Sequence, residues 1–448
     1  MSHTIYNYSM TSLVIASALQ VFYFNHTPLP FHLSLINNPI SSLTRVQTII
    51  NDNPYLFNHE VVNPLPITDQ KSSGRCWLFA SLNLVRVNTF KNWQPDYEIN
   101  DLEFSQTYNY FWDKFERYHR SLRYFIKINK LPESTKFLYL LKLYADPLGD
   151  GGQWDMAREI IKKYGVVPKS VMPDSYHSKA SSGMNRILTA QLKQDFISLN
   201  KINEMYHEYL INSMMDTVYK LLIGFLGNPP IVFDYVFKNK NQIISWEHLT
   251  PLELLKRTYF NPDEWISIIH DPRNENPYYR YYQIEYLGNV ADQHVGWINL
   301  PMSRLKQLTK ESIDSNQPVW FGCDVGAHFD KETGIHDINI FDLKTFMNHE
   351  ITLTKEERLN TFLSLPTHAM LIVGYYETDG IIKRWKIENS WGNTAGTNGF
   401  QLMTDEWFDE YVFQIVIHKS KLYDNEKQLL ETVPTVIPPW DPLGTLAF

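Results

Sequence analysis

Asp69-Gln70-Lys71-Ser72-Ser73-Gly74-Arg75-Cys76-Trp77 joins a polar, glycine-containing run to the start of an apolar helical pattern, and a thiol stands at the join. A cysteine at a helix N-terminus meets unpaired backbone N–H groups and the positive end of the helix dipole, which favour the nucleophilic thiolate. Gln70, upstream, supplies an amide donor for an oxyanion forming beside the sulfur. Free cysteine is commonly a small buried hydrophobe, and Cys323 fits that description, since Val319-Trp320-Phe321-Gly322-Cys323-Asp324-Val325 reads as an apolar strand. The polar run before Cys76 is not one that a core strand tolerates. Cys76 is therefore the candidate nucleophile and Cys323 a structural residue.

The composition narrows the setting. Two cysteines in 448 residues, without C-x-x-C spacing, exclude a disulfide framework and a cysteine-based zinc finger. A reducing, cytoplasmic compartment is the simpler expectation. A formal charge of −8 argues against nucleic acid as the main partner. The first 44 residues contain no Lys, Arg, Asp or Glu, but Ser17 and Gln20 interrupt their apolar stretch and no basic segment precedes it. This is too short for a membrane span and lacks the head of a signal peptide. Ala16-Ser17-Ala18 does match a small-x-small cleavage pattern, which leaves secretion as the lesser alternative.

Helical spacing continues after the cysteine through Leu78, Leu82, Val85 and Val87, and aromatic residues from Ser105 to Phe115 predict a second helix. Asp146-Pro147-Leu148-Gly149-Asp150-Gly151-Gly152-Gln153-Trp154 predicts a tight loop before a helix over 156–164. No Gly-Lys-Ser/Thr follows, so it is not a phosphate cradle. From Ser182 to about Phe225 the pattern predicts one long helical segment, and beyond Pro229 short strands and turns. Four prolines between Val433 and Phe448 forbid a helix in the tail, which reads as a disordered end or an extended arm.

A nucleophilic thiol needs a base, and the base an orienting partner. Thr367-His368-Ala369 heads an apolar strand, and after the turn Glu377-Thr378-Asp379-Gly380 a second strand leads to Glu388-Asn389-Ser390-Trp391-Gly392. An unbulged hairpin centred between Thr378 and Asp379 sets His368 directly across from Asn389, whose side-chain oxygen then accepts from the imidazole. Trp391 is placed to shield that bond from water. His59-Glu60 and His349-Glu350 lack the second histidine of a metalloprotease helix, so neither a metal nor any other cofactor is implied.

The segment Gln70 to Trp77, with Gly151-Gly152, Thr367-His368-Ala369 and Asn389-Ser390-Trp391-Gly392, resembles the papain-like cysteine peptidases. Ser73-Gly74-Arg75-Cys76-Trp77, Phe104-Ser105-Gln106, Met184-Asn185-Arg186 and Trp440-Asp441-Pro442 are similar to their bleomycin hydrolase and aminopeptidase C group. The resemblance implies an α+β fold with a helical left lobe, a β-rich right lobe, large helical insertions and an extended C-terminal arm. Its parts are an atypical N-terminal extension at 1–43, a left lobe at 44–180 with an inserted helical hook, a helical insertion at 181–270, a β-rich lobe at 271–432 and the arm at 433–448.

The function implied is a cysteine aminopeptidase that removes N-terminal residues from peptides through a thioester. Cys76, His368 and Asn389 are the catalytic residues of that resemblance, with Gln70 and Trp391 in support. Loss of Phe448 by self-cleavage leaves the Ala447 carboxylate to pair with the substrate's free α-amino group and to limit cleavage. The group also implies a homohexamer with inward-facing sites, and its members are reported to bind nucleic acid. An endopeptidase of the same fold, or a non-catalytic nucleic-acid-binding or chaperone-like assembly, are the alternatives.

Overall fold

The apolar run beginning at Cys76 forms helix α1, Cys76–Trp93, and is buried on nearly every side, as an all-round apolar helix must be. The computed structural model describes residues 34–62, 65–93, 101–239, 242–347, 349–394 and 396–447. Most of the proposed extension at 1–43, and Phe448 with it, lie outside the described residues. Of the described residues, those up to Asp52 group with Asn339–Ile351 as one compact unit, and those of Asn53–Ile338 with those from Thr352 onward as another. Within the smaller unit Arg45 and Phe341 form an antiparallel bridge, and Val46 N–H donates to the Ile340 carbonyl at 3.0 Å.

Helix α1 belongs to the larger unit. Polar groups of α1 are matched inside it: Arg86 meets Glu388 at 3.1 Å, and Asn83 donates to the same carboxylate at 3.0 Å. Helix α2, Gln106–Asn129, starts where the Ser105 hydroxyl accepts from Tyr108 N–H at 3.1 Å. It runs well past Phe115, where its aromatic spacing gives way to charged residues. Those charges face inward and are paired, Lys114 with Asp150 at 2.8 Å and Arg117 with Asp113 at 2.9 Å, so they do not end the helix. Helix α3 spans Glu133–Ala145, and α4 spans Trp154–Tyr164. Between them Gly152 lies on the Trp77 ring so closely that an added Cβ would stand 2.3 Å from it.

The segment expected as one helix from 182 is two, α5 at Ser182–Lys201 and α6 at His207–Leu226, joined by a 3-10 turn. Ile202 is extended, and the Asn203 side chain accepts from Met205 N–H at 3.0 Å, so a fresh start interrupts an unbroken apolar pattern. The remainder of 181–270 is not helical throughout. It carries a hairpin of β1, Phe233–Asn239, and β2, Gln242–Leu249, and the first strand of the main sheet, β3, Trp265–Ile269.

The main sheet adds β4 (Arg280–Ile284), β5 (Gly296–Asn299), β6 (Val319–Cys323), β7 (His368–Thr378), β8 (Ile381–Glu388), β9 (Phe400–Thr404), β10 (Val412–His418) and β11 (Thr435–Ile437). Its order is β11-β4-β5-β3-β10-β6-β7-β8-β9, continued by two short strands. Strands β6, β7 and β10 are buried over most of their length, and α1 packs on β7. The tail is ordered up to Ala447. Strand β11 pairs in parallel with β4, and a 3-10 turn at Pro442–Ala447 follows, with proline at its first position.

Candidate active site

The β7–β8 hairpin closes on Asp379-Gly380, with φ of +51° and +75°, and Thr378 pairs with Ile381. That two-residue turn matches the twist of its strands, but its centre lies one position later than the spacing suggested. The register also slips between Ile372 and Gly374 and between Tyr376 and Glu377. Pairing with β8 stops at Leu371 opposite Glu388, so His368 and Asn389 are not cross-strand partners. His368 instead sits in register with Cys323 on β6. The side chains still meet, with His368 Nε2 and Asn389 Oδ1 at 2.9 Å, because Asn389 begins the loop that turns back over the strand end.

Asn389 Oδ1 is an acceptor, and it also receives Ser390 N–H at 2.7 Å, so Nε2 of His368 carries the proton and Nδ1 is left as an acceptor. The Trp391 ring lies on the imidazole with centroids 4.8 Å apart. Cys76 lines the same cavity as His368, Gln70, Thr367, Gly151 and Leu446, a space of about 410 Å³. The backbone N–H groups of Ala369, next to the histidine, and of Trp77 and Cys76 favour the charged form of the sulfur.

The loop before Cys76 is held from both sides. Gln70 N–H donates to the Ser390 carbonyl at 2.8 Å, and Gly392 N–H to Thr68 at 3.1 Å, which ties it to the asparagine loop. The Ser390 hydroxyl donates to Gln70 Oε1 at 2.6 Å, while Gln70 Nε2 donates to the Ser73 carbonyl at 2.6 Å. This fixes which end of the amide carries the donors and leaves its second N–H for an oxygen beside Cys76. Arg75 is fully buried against Asp174 at 3.3 Å and bonds the Ser73 hydroxyl at 2.9 Å, which pins the polar run that precedes the helix.

Burial sets the protonation of the pair. It pushes the Cys76 thiol up to about 11, against the pull of the three backbone N–H groups. It also lowers His368 to about 4, against the bond to Asn389. Burial thus opposes the helix N-terminus at the sulfur and opposes protonation of the imidazole. Cys323, fully buried behind the histidine, is raised further by burial.

Asp150 was hidden in what the sequence shows only as a glycine loop. Burial alone would raise it, but Lys114 and the hydroxyls of Ser181 and Tyr110 outweigh that and hold it well below the usual carboxylate range. It also accepts from Asn185 at 2.6 Å and from Gly74 N–H at 3.2 Å, so it braces the turn that delivers the cysteine. Ser390 and Arg117 also escaped sequence reasoning. Among the described residues no cluster of three metal-binding side chains occurs, and no helix is long and apolar enough to cross a membrane.

The tail ends at this cavity. Asp441 pairs with Arg273 at 2.9 Å, Gln153 donates to the Leu443 carbonyl at 3.2 Å, and the Thr445 hydroxyl donates to Pro366 at 3.0 Å. Leu446 then forms part of the wall around Cys76, and the Ala447 carbonyl accepts from Arg117 at 3.4 Å.

A thiol, an oriented imidazole and an amide donor around one cavity agree with what the chain is similar to. Residues 23–444 match the Peptidase C1-like family. The bleomycin hydrolase of Gallus gallus is 37% identical over 420 residues, covering 89% of this chain and 90% of that protein. The aminopeptidase C of Listeria monocytogenes is 37% identical over 432 residues, covering 94% and 96%. The crystal structure of PepW from Lactobacillus rhamnosis superposes with a TM-score of 0.89 at 35% identity, over 95% of this chain and 97% of that one. With the α+β papain-like architecture and the cavity described above, these matches place the chain in the Peptidase C1-like family, within its bleomycin hydrolase and aminopeptidase C group.

Proposed function

We propose that this protein is a cysteine aminopeptidase that hydrolyses N-terminal residues from peptides and related amides through a thioester intermediate. Cys76 Sγ attacks the scissile carbonyl as His368 Nδ1 takes the thiol proton, so sulfur–carbon bond formation and proton transfer neutralise the cost of a buried thiolate. The same imidazole then returns the proton to the leaving amine, and water, deprotonated by His368, releases the acyl group. Asn389 holds the ring and its tautomer, Trp391 keeps water from that bond, and Gln70 with the Cys76 backbone N–H meets the tetrahedral oxyanion.

The observation that carries the exopeptidase reading is the tail itself, whose residue Leu446 walls the cavity of Cys76. An extended peptide cannot continue past that wall, so only a chain that ends there fits. In this reading residues 433–448 are the limiting arm, Ala447 marks its end, and Phe448 is removed by Cys76. Residues 44–180 form one lobe and 271–432, joined by strand β3, the other, with the rest of 181–270 an insertion and 1–43 an extension. The assembly is a homohexamer in the cytoplasm that takes peptides with a free N-terminus.

Cleavage of a free peptide and of its N-acetylated form tests the reading. The intact protein should cleave the first and spare the second, and deletion of 438–448 should open it to the second. Equal cleavage of both by the intact protein would overturn it. Mass spectrometry should find Phe448 absent from the active protein and present in Cys76→Ala.

A further inference from the structure

Catalysis gives no step to the Met184-Asn185-Arg186 motif, yet Asn185 lines the cavity that holds Cys76 and His368. In the aminopeptidase reading the first residue of the peptide sits there, between the sulfur and the wall that includes Leu446, so its side chain shares the space with whatever lines it. The lining is unusual for a binding site. Besides Cys76 and His368 it consists of glycines and polar side chains, with Leu446 its single aliphatic member among the described residues. Ligand cavities are ordinarily walled by apolar and aromatic groups with a few polar ones among them. An apolar substrate side chain finds little surface of its own kind here.

The polar groups beside the nucleophile are largely committed. Asp150 is saturated by Lys114, Tyr110, Ser181, Asn185 and Gly74, and the buried Lys114 ammonium matches its charge. Gln70 is tied at both ends of its amide, to Ser390 and to Ser73. Asn185 is tied at one end only. Its Nδ2 donates to Asp150 Oδ1 at 2.6 Å, and a carboxylate, which only accepts, fixes which end of the amide is the nitrogen. Asn185 Oδ1 is left as an acceptor, screened from solvent and without a hydrogen-bond partner among the described residues.

The amide is also held in place before any substrate arrives. Asn185 lies in the first turn of α5, where its backbone N–H donates to the Ser181 carbonyl at 2.9 Å, so a helix rather than a loop carries it. A buried acceptor left unmet has a cost that its first donor removes. A substrate side chain ending in N–H or O–H supplies that donor, whereas an apolar one of the same shape fills the space and leaves Oδ1 unpaired. This asymmetry discriminates between isosteres more strongly than a methylene's worth of packing does.

We propose that this cavity selects N-terminal residues whose side chain carries a hydrogen-bond donor, the carboxamides of asparagine and glutamine foremost, with Asn185 Oδ1 as the acceptor. This rests on the aminopeptidase reading and names the substrate class of its site. The full-length protein is to be assayed on coumarin amides of asparagine and leucine, and of glutamine and methionine, pairs matched in shape or length, each with its α-amino group free and acetylated. Sparing of the acetylated forms tests the underlying reading alone. Given that, kcat/KM should favour asparagine over leucine and glutamine over methionine about tenfold, the fold-change of one hydrogen bond left unmade. Asn185→Ala also loosens Asp150 and lowers activity on every substrate, so the ratio within each pair is the readout, and it should fall to about one. Asn185→Ser, the milder change, should give ratios between the two. Wild-type ratios below about threefold, or ratios that stay at the wild-type value in both variants, would overturn the assignment while leaving the exopeptidase reading intact.

Discussion

Cys76 and Cys323 are both buried thiols, both lie beside His368, and burial raises the pKa of both. They differ in what surrounds the sulfur. Cys76 opens a helix, has backbone N–H groups that favour its charged form and borders a cavity that it shares with His368 and Gln70. Cys323 lies within a fully buried strand and packs in the apolar core. Reactivity here is a matter of access and of partners able to take the proton, and acidity of the isolated thiol does not separate the two.

The sharpest way to break that comparison is to exchange the roles. Cys76→Ala should abolish acyl-enzyme formation while the fold is kept, as seen by burst kinetics and circular dichroism; turnover near wild type would remove Cys76 from the mechanism. Gln70→Ala removes an oxyanion donor and should lower kcat by about 10²–10³. A loss below about threefold would mean that the Cys76 backbone N–H suffices.

Asn389→Ala should cost roughly 10–100-fold in kcat/KM, the value of a hydrogen bond to a group that becomes charged during the reaction. The acid limb of the pH profile follows His368. The base must be unprotonated to take the thiol proton, and burial has lowered its pKa to about 4, so activity should persist well below the ordinary histidine range and fail as pH approaches that value. A limb at the unperturbed histidine position would contradict the lowering of His368 by burial.

Stability has its own acid dependence. His336 and His368 are lowered to about 4 and His270 to about 3, chiefly by burial. Each binds a proton more readily when unfolded, so stability is full above the unfolded pKa and falls as pH drops below it, by roughly 1 kcal/mol per pH unit per histidine. Denaturant midpoints between pH 7 and 4.5 measure this, and a flat profile would contradict it. The smallest effect belongs to the other thiol. Cys323→Val should leave kcat/KM within about twofold and change stability by only about 1 kcal/mol, as a volume-conserving core substitution does.

The residues proposed as nucleophile, base, orienter and amide donor stand out in the sequence because each sits in a short segment with a local signal of its own. Their distances are not legible in the same way. The hairpin register depended on which residues of Glu377-Thr378-Asp379-Gly380 made the turn and on two bulges that no periodicity reveals, so a correct pairing came from an incorrect ladder. The reach of α2 was hidden because Lys114, Arg117 and Arg120 look like a solvated face, and only their distant partners show that they point inward. The break at Ile202 was hidden for the opposite reason, since a cap by one asparagine leaves the apolar spacing undisturbed. Asp150 and Ser390 act through residues far away in the chain, so nothing near them marks the role.

The mutual stitching of the Gln70 loop and the Ser390 loop bears on how the protein survives its own chemistry. The amides of Gln70 and Gly392 are donated across that seam, so their exchange with deuterium requires the seam to open rather than a loop to fray. They should be among the slowly exchanging amides of the molecule although Gln70 lines the cavity of Cys76. Proteolysis of the loop that carries Cys76 then requires the same opening, so the peptidase is shielded there from cleavage by its own kind.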